Sequence, residues 1–361
     1  MATPSRNPDF DTTLSAQVDP GGKPIHIAGV SFDPADVLST MDPVAYEAAL
    51  TEWTRVSEPL EDVLARARSV LTLSASNRER FERLSEVVQR NQAIPFVGAG
   101  LSHPCGNPLW REFLLRLAGE SGMDVPNIAA RLNAGGYEQV AEEIVAARPA
   151  NWFNERLTTT YKRDMELAGA VLRLPRLFQG CLITTNFDAV LETVYKQAAC
   201  AFDHRVIGGN EGGFTYALSQ GEHHLLKLHG DLEYPTHRVL TYSEYVAAYG
   251  DTAFDFSLPL PKAIKGVYEN YFLVFLGCSL GADRTMDLWD YLITAAGSDA
   301  IPRHIAIIES PEVDRLPPDR EDELVIRNIF PIWYPKDQHQ AVDDLLALLD
   351  AVVNEGESID R

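Results

Sequence analysis

From Ala93 onward, short apolar runs of strand length alternate with stretches of helical periodicity. This alternation predicts a parallel sheet with helices on both faces, a Rossmann-like α/β fold. The runs are Ile94-Pro95-Phe96-Val97, Cys181-Leu182-Ile183-Thr184, His224-Leu225-Leu226-Lys227-Leu228, Tyr271 to Leu276, His304 to Ile308, and Ile332-Trp333-Tyr334. The run from Tyr271 to Leu276 is apolar enough for the sheet centre, where both faces of a strand are covered. Tyr137, Val140, Ile144 and Ala147 recur at helical spacing, as do Val190, Leu191, Val194 and Ala198. The first of these sets belongs to a smaller helical insertion. Val342, Leu345, Leu346, Leu349 and Val353 mark one face of a C-terminal helix.

Upstream, the pattern changes. Residues 1 to about 40 are rich in Pro, Gly, Asp and Ser, broken by the apolar run Ile25 to Val30. They read as an arm that adds one strand and serves as an assembly element. A helical stretch from about Val44 to Leu73 is interrupted near Pro59, which opens a second helix at its first turn. Ser76-Asn77-Arg78-Glu79 has the form of a capping box, with Phe81, Leu84, Val87 and Val88 at helical spacing behind it, so a helix to about Arg90 follows. Two regions result: residues 1–75, an arm and helical extension, and residues 76–361, the nucleotide-binding domain.

Composition narrows the partners. The 361 residues carry 31 Lys and Arg against 52 Asp and Glu, a net charge of −21 with no dense basic run, which disfavours direct nucleic-acid binding. No stretch approaches the roughly 20 apolar residues of a membrane span, and residues 1–24 lack the build of a secretory signal. The four cysteines, Cys105, Cys181, Cys200 and Cys278, are scattered. That favours a reducing cytoplasm and no structural zinc.

The candidate chemistry sits at the carboxyl ends of the predicted strands, the ligand-binding edge of an open α/β sheet. Gly98-Ala99-Gly100 follows the first strand, where missing Cβ atoms let backbone amides approach phosphate oxygens. It is not a full dinucleotide fingerprint, since His103 stands where a third glycine belongs, and no Walker lysine follows. A tight strand-to-helix connection explains it equally well. Asn186 and Asp188 follow the second strand; Asn186 can orient water or a ribose hydroxyl, while Asp188 is either a ligand or a helix cap. His229 ends the third strand with a pKa suited to general base work, and Asp231 is either its orienting partner or a turn residue. Gly277-Cys278-Ser279 ends the most apolar strand. There the serine hydroxyl can meet phosphate or ribose, and Cys278 reads as a buried, unreactive thiol rather than a nucleophile.

Taken in order, Gly98 to Ser102, Gly106 to Trp110, Thr184 to Asp188, Lys227 to Asp231 and Gly277 to Ser279 resemble the sirtuin superfamily. Pro108-Leu109-Trp110 and Leu276 to Leu280 resemble the sirtuin-like NADase domains of bacterial antiphage defence more than the protein deacetylases. The likeness covers roughly residues 80–350; Gly136-Tyr137, Leu240-Thr241-Tyr242 and Ile332 to Pro335 also fit it. It implies NAD as substrate, with the pyrophosphate at Gly98, Ala99 and Gly100 and Ser102 close by. Asn186 would hold the water or the nicotinamide ribose, Asp188 the carboxamide or its surroundings, and His229 would act as base. Trp110 would lie near the nicotinamide ribose, with Pro108 also among the NAD-binding residues; Gly277, Cys278 and Ser279 would contact phosphate and ribose, and Glu309 the adenosine ribose. Sirtuin deacetylases carry a four-cysteine zinc module after the catalytic histidine, and this chain has no cysteine between Cys200 and Cys278. The resemblance therefore implies NAD cleavage rather than deacylation, with an NAD-dependent deacylase or a non-catalytic NAD or ADP-ribose scaffold as alternatives. It further implies control in trans, by homo-oligomer assembly or by a partner such as a HerA-type ATPase or a short Argonaute.

Overall fold

A computed structural model describes residues 6–7, 10–11, 14, 25–27, 30–57, 59–161, 165–208, 214–220, 222–234, 237–281, 284–310 and 318–360. The chain divides into two units, Met1–Val63 and Leu64–Arg361. In the first, helix Pro34–Met41 is capped by the Asp33 carboxylate, which accepts from the amides of Ala35 and Asp36. Helix Pro43–Ser57 follows, and Tyr46 packs edge-on against Phe10 with ring centroids 5.3 Å apart. The apolar run at Ile25 pairs with itself rather than adding a strand elsewhere: Ile25–Ile27 (β1) and Val30–Phe32 (β2) form a two-stranded antiparallel sheet of their own.

The second unit is built on seven parallel strands. They are Ala93–Val97 (β3), Leu182–Thr184 (β4), His204–Ile207 (β5), His224–Lys227 (β6), Phe272–Leu276 (β7), His304–Glu309 (β8) and Ile329–Tyr334 (β9), in the order β5-β6-β4-β3-β7-β8-β9. The α/β expectation holds. β5 is the strand that the hydrophobic pattern does not announce. It lies at the sheet edge with His204 and Arg205 exposed, so its sequence lacks the apolar run of an inner strand.

The near-continuous apolar character of β7 and β8 follows from burial on both faces. Val274, Leu276, Ile305 and Ile307 face a core that includes helix Ala75–Gln89 and the C-terminal helix Gln340–Glu355. Leu273, Phe275, Ala306 and Ile308 alternate to the other face, against helices Pro259–Asn270 and Arg284–Ala296. Helix Ala75–Gln89 starts two residues earlier than its apparent capping box. The cap is Ser74, in extended conformation, whose Oγ accepts from Asn77 N at 3.0 Å, and Ser76 lies inside the first turn.

Four helices, Trp110–Glu120, Val125–Asn133, Tyr137–Ala147 and Ala150–Tyr161, form the insertion between β3 and β4. Their own apolar core contains Phe113, Leu117, Ile128, Val140, Ile144, Phe153 and Leu157. Phe187 and Leu240 also belong to it, so the insertion is seated on the loops that leave β4 and β6.

β3 is the topological switch point of the sheet: the chain moves to β4 on one side and to β7 on the other. Its outgoing loop and that of β7 interlock. Gly98 N donates to Leu276 O at 2.9 Å and Gly100 N to Gly277 O at 3.0 Å. A Cβ on Gly98 would stand 2.5 Å from Gly277 O, and one on Gly277 would stand 2.5 Å from Leu101 N. Gly277 also sits at φ +65°. Gly277→Ala is therefore expected to cost on the order of 2 kcal/mol or more, the combined toll of left-handed backbone and a backbone clash. Denaturant unfolding reads this as a lower midpoint, and a midpoint equal to wild type would contradict the interlock.

Candidate active site

The site assembles where the loops after β3, β4 and β6 meet. β4 ends at Thr184, whose Oγ1 donates to Val97 O at 2.8 Å and accepts from Asn186 N at 3.0 Å. That pair of bonds turns the chain sharply after the strand and holds Asn186 against the glycine loop. Asn186 Nδ2 donates to Gly98 O at 3.1 Å and to Ser102 Oγ at 3.0 Å. With both amide protons directed at protein oxygens, the side-chain carbonyl is the group Asn186 has left to offer. The Ser102 hydroxyl in turn donates to Asp188 Oδ1 at 3.2 Å. Asn186, Ser102 and Asp188, all buried, thus form one hydrogen-bonded chain across the mouths of β3 and β4.

Asp188 does two jobs. Its Oδ1 also accepts from Val190 N at 3.0 Å at the start of helix Val190–Gln197, as a capping carboxylate does. Burial raises its pKa, against the opposing pull of the Val190 amide, Lys227 and Ser102.

His229 follows β6 in the loop that runs beside this chain. Its Nε2 lies 3.0 Å from Tyr245 OH, and its backbone carbonyl accepts from Val239 N at 3.0 Å. Phe187 lies beside the imidazole with centroids 6.5 Å apart, and Trp110 is 5.7 Å beyond Phe187. Burial pushes the His229 pKa down to about 4, so the ring is neutral and able to accept a proton across the ordinary pH range. Asp231 is not its orienting partner. The Asp231 carboxylate faces Lys227 Nζ at 3.1 Å and Arg205 Nη1 at 3.2 Å, and accepts Glu233 N at 2.8 Å. The group that meets the imidazole is instead the Tyr245 hydroxyl.

Lys227, the last residue of β6, is 1% exposed, and its ammonium reaches the loop that carries Asn186. Nζ donates to Asp188 O at 2.7 Å, Phe187 O at 3.3 Å and Glu192 Oε1 at 3.0 Å, besides meeting Asp231. Burial alone would lower its pKa, but Glu192 and Asp231 outweigh that and raise it. A lysine closing an otherwise apolar strand was the sequence's only sign of this network, because a buried ammonium requires partners. Tyr245, 16 residues downstream of His229, left no local sign at all.

The remaining candidates are placed unevenly. Gly98, Gly100, Ser102, Asn186, Asp188, Gly277 and Cys278 adjoin one another. Ala99 opens the short helix Ala99–Ser102 that follows Gly98. Two of the amides of the glycine turn, those of Gly98 and Gly100, are already bonded to β7 and its loop, so the glycines are explained in part by chain packing. The half-buried thiol of Cys278 lies 3.5 Å from Phe96 O. Ser279 is exposed, and its carbonyl accepts from Arg320. Pro108 O accepts from Tyr161 OH at 3.3 Å, and Trp110 stacks on Phe113. Glu309 ends β8 on the same edge of the sheet, with its carboxylate turned to Asp337 N at 2.6 Å rather than to the Asn186 chain.

Among the described residues, no group of three or more His, Cys, Asp or Glu is arranged to hold a metal, and no helix is long and apolar enough to cross a membrane. A cavity of about 580 Å³ is bordered by His103, Gly106, Asn107 and Pro108 and so reaches the Pro108 loop. A larger one, about 950 Å³, opens at the opposite edge of the sheet beside Ala93, Cys181, Phe272, Ile305 and Phe330, away from the candidate chemistry.

At the switch point of the Rossmann-like sheet, the strand ends thus carry a glycine turn, an asparagine and a histidine. Residues 180–332, from the start of β4 into β9, match the SIR2-like domain profile. Over 243 residues the chain is 25% identical to the NAD(+) hydrolase ThsA of Bacillus cereus (strain MSX-D12). That alignment takes in 67% of this chain and 48% of ThsA, so the chain spans about half the length of the curated relative it matches.

Proposed function

We propose that this chain hydrolyses NAD at the nicotinamide N-glycosidic bond, releasing nicotinamide and ADP-ribose. The observation that carries the reading is the placement of Asn186, its amide protons committed, in the loop whose next residue, Phe187, flanks a neutral His229. The likeness to an NAD(+) hydrolase supports the choice of substrate.

Nicotinamide leaves NAD as a neutral molecule, because the bond's electron pair passes to an already cationic ring nitrogen. The protein therefore need not protonate the leaving group. It must hold the ribose, stabilise positive charge developing at the anomeric carbon and supply water. The carbonyl of Asn186 accepts a hydrogen bond from the incoming water or from a ribose hydroxyl. Water adds its oxygen to the anomeric carbon, and its surplus proton passes to His229, directly or through a ribose hydroxyl, and then to solvent. One NAD and one water give one nicotinamide, one ADP-ribose and one proton.

Asn186→Ala is expected to lower nicotinamide release by about 10²–10³-fold, as removal of one positioned polar group does in other active sites. Chromatographic quantification of nicotinamide checks this; release equal to wild type would remove Asn186 from the mechanism.

The wider reading is a cytoplasmic NADase of bacterial antiphage defence that acts by depleting NAD. Its activity would be restrained until the chain self-assembles or meets a partner such as a HerA-type ATPase or a short Argonaute. An NADase without such control would exhaust the cell that makes it. The acidic balance of the chain fits nucleic-acid sensing by the partner rather than by this chain.

A further inference from the structure

A neutral imidazole carries one N–H and one lone pair, and its usefulness as a base depends on which nitrogen holds which. In His229 the two nitrogens are in different surroundings. Nε2 lies 3.0 Å from Tyr245 OH, with the two rings edge to face and centroids 5.5 Å apart. Among the described residues, no hydrogen bond is made at Nδ1, and His229 is half-buried.

The phenol is held from several directions. Tyr245 lies one turn into helix Tyr242–Tyr249, whose start is pinned by a true capping box: Glu244 N donates to Thr241 Oγ1, and the Glu244 carboxylate accepts from Thr241 N at 3.0 Å and Leu240 N at 2.8 Å. Ser243 ties the same turn to Glu142 in the helical insertion. The Tyr245 ring stacks on Tyr249 at 5.6 Å. Arg284, itself bound to Glu138 and Gly250 O, lies 5.8 Å from its centroid. A side chain fixed so thoroughly can fix the ring it touches.

We propose that Tyr245 is a positioning residue for His229: its phenol oxygen accepts the Nε2–H proton, which sets the ring's orientation and leaves the Nδ1 lone pair as the proton acceptor. The catalytic consequence rests on the NAD-hydrolysis reading, whereas the tautomer does not. The low pKa of His229 is consistent with it, since only a neutral ring has a tautomer to choose.

The test uses the full chain labelled with ¹⁵N-histidine, with His229 assigned by comparison with His229→Gln. Long-range ¹H–¹⁵N correlation is expected to show His229 with a protonated Nε2 and a bare Nδ1. In Tyr245→Phe both tautomers appear, and kcat for nicotinamide release falls about two- to tenfold at unchanged KM, as expected for a base that loses its single tautomer and its fixed orientation. The melting temperature of Tyr245→Phe confirms that the variant is folded. A wild-type His229 protonated at Nδ1, an unchanged ¹⁵N pattern in Tyr245→Phe, or an unchanged kcat would each overturn the proposal. If wild type releases no nicotinamide under any condition, the hydrolysis reading fails, and the ¹⁵N pattern still decides the role of Tyr245.

Discussion

His229→Ala is expected to abolish most NAD cleavage, lowering nicotinamide release by about 10²–10⁴-fold, the usual contribution of a positioned general base. The wild-type pH profile should carry the same signature. An imidazole with the ordinary pKa near 6.5 would be protonated about thirtyfold over its neutral form at pH 5, and a base of that kind would lose activity in proportion. With its pKa pushed down to about 4 by burial, His229 keeps its lone pair through that range. The sign is unambiguous: depression of a base's pKa extends the active form to lower pH. kcat/KM should therefore stay nearly flat from pH 7.5 to 5 and bend only near pH 4. An acid limb centred near 6.5 that disappears in His229→Ala would contradict the burial account. Full activity in His229→Ala would remove the histidine from the chemistry.

Lys227→Ala is expected to be the most damaging substitution for stability, because it takes the cation from a buried carboxylate, Asp231, and a half-buried one, Glu192. Glu192 and Asp231 both face the ammonium, within 3.1 Å, and Asp231 is 4% exposed. Removing one partner of a buried ion pair costs about 3–5 kcal/mol. Arg205 also reaches Asp231 and Glu192, which places the expected loss toward the lower end. Two backbone carbonyls, of Phe187 and Asp188, lose their donor at the same time. The variant should unfold at lower denaturant concentration. Near-wild-type stability would show that Arg205 alone satisfies the network. Since Lys227 ties the Asn186–Asp188 loop to the strand leading to His229, any folded fraction should also turn over NAD more slowly.

The parts of the site that could be read from sequence are those in which chemistry and local structure coincide. Asn186 follows its strand within two residues, and His229 stands just beyond the end of another, so strand patterning alone carried both to the ligand edge. Gly98, Gly100 and Gly277 were legible as positions of close approach. What they approach is each other's loops, and a contact between chain segments 177 to 179 residues apart leaves no local trace. Asp188 stands one residue before the N-cap Ala189, accepting the first helical amide at Val190 and the Ser102 hydroxyl. Asp231 was offered as partner or turn residue, and the turn prevailed because Lys227 and Arg205 draw its carboxylate away from the imidazole. Tyr245 was hidden because its role comes from the crossing of two distant segments. β5 was hidden for a different reason: an edge strand with an exposed start has no apolar run to display.

Cleavage of NAD by this chain, as opposed to binding without turnover or transfer of an acyl group from a peptide to ADP-ribose, is tested most directly by product identity. The purified chain is incubated with NAD in the absence of any acylated peptide, over a wide range of protein concentration, and nicotinamide and ADP-ribose are quantified together. The account predicts that the two products appear in equal amounts, with specific activity rising as concentration drives assembly. NAD that is bound but returned intact at every concentration, or nicotinamide that appears only when an acyl-lysine peptide is added, would contradict it.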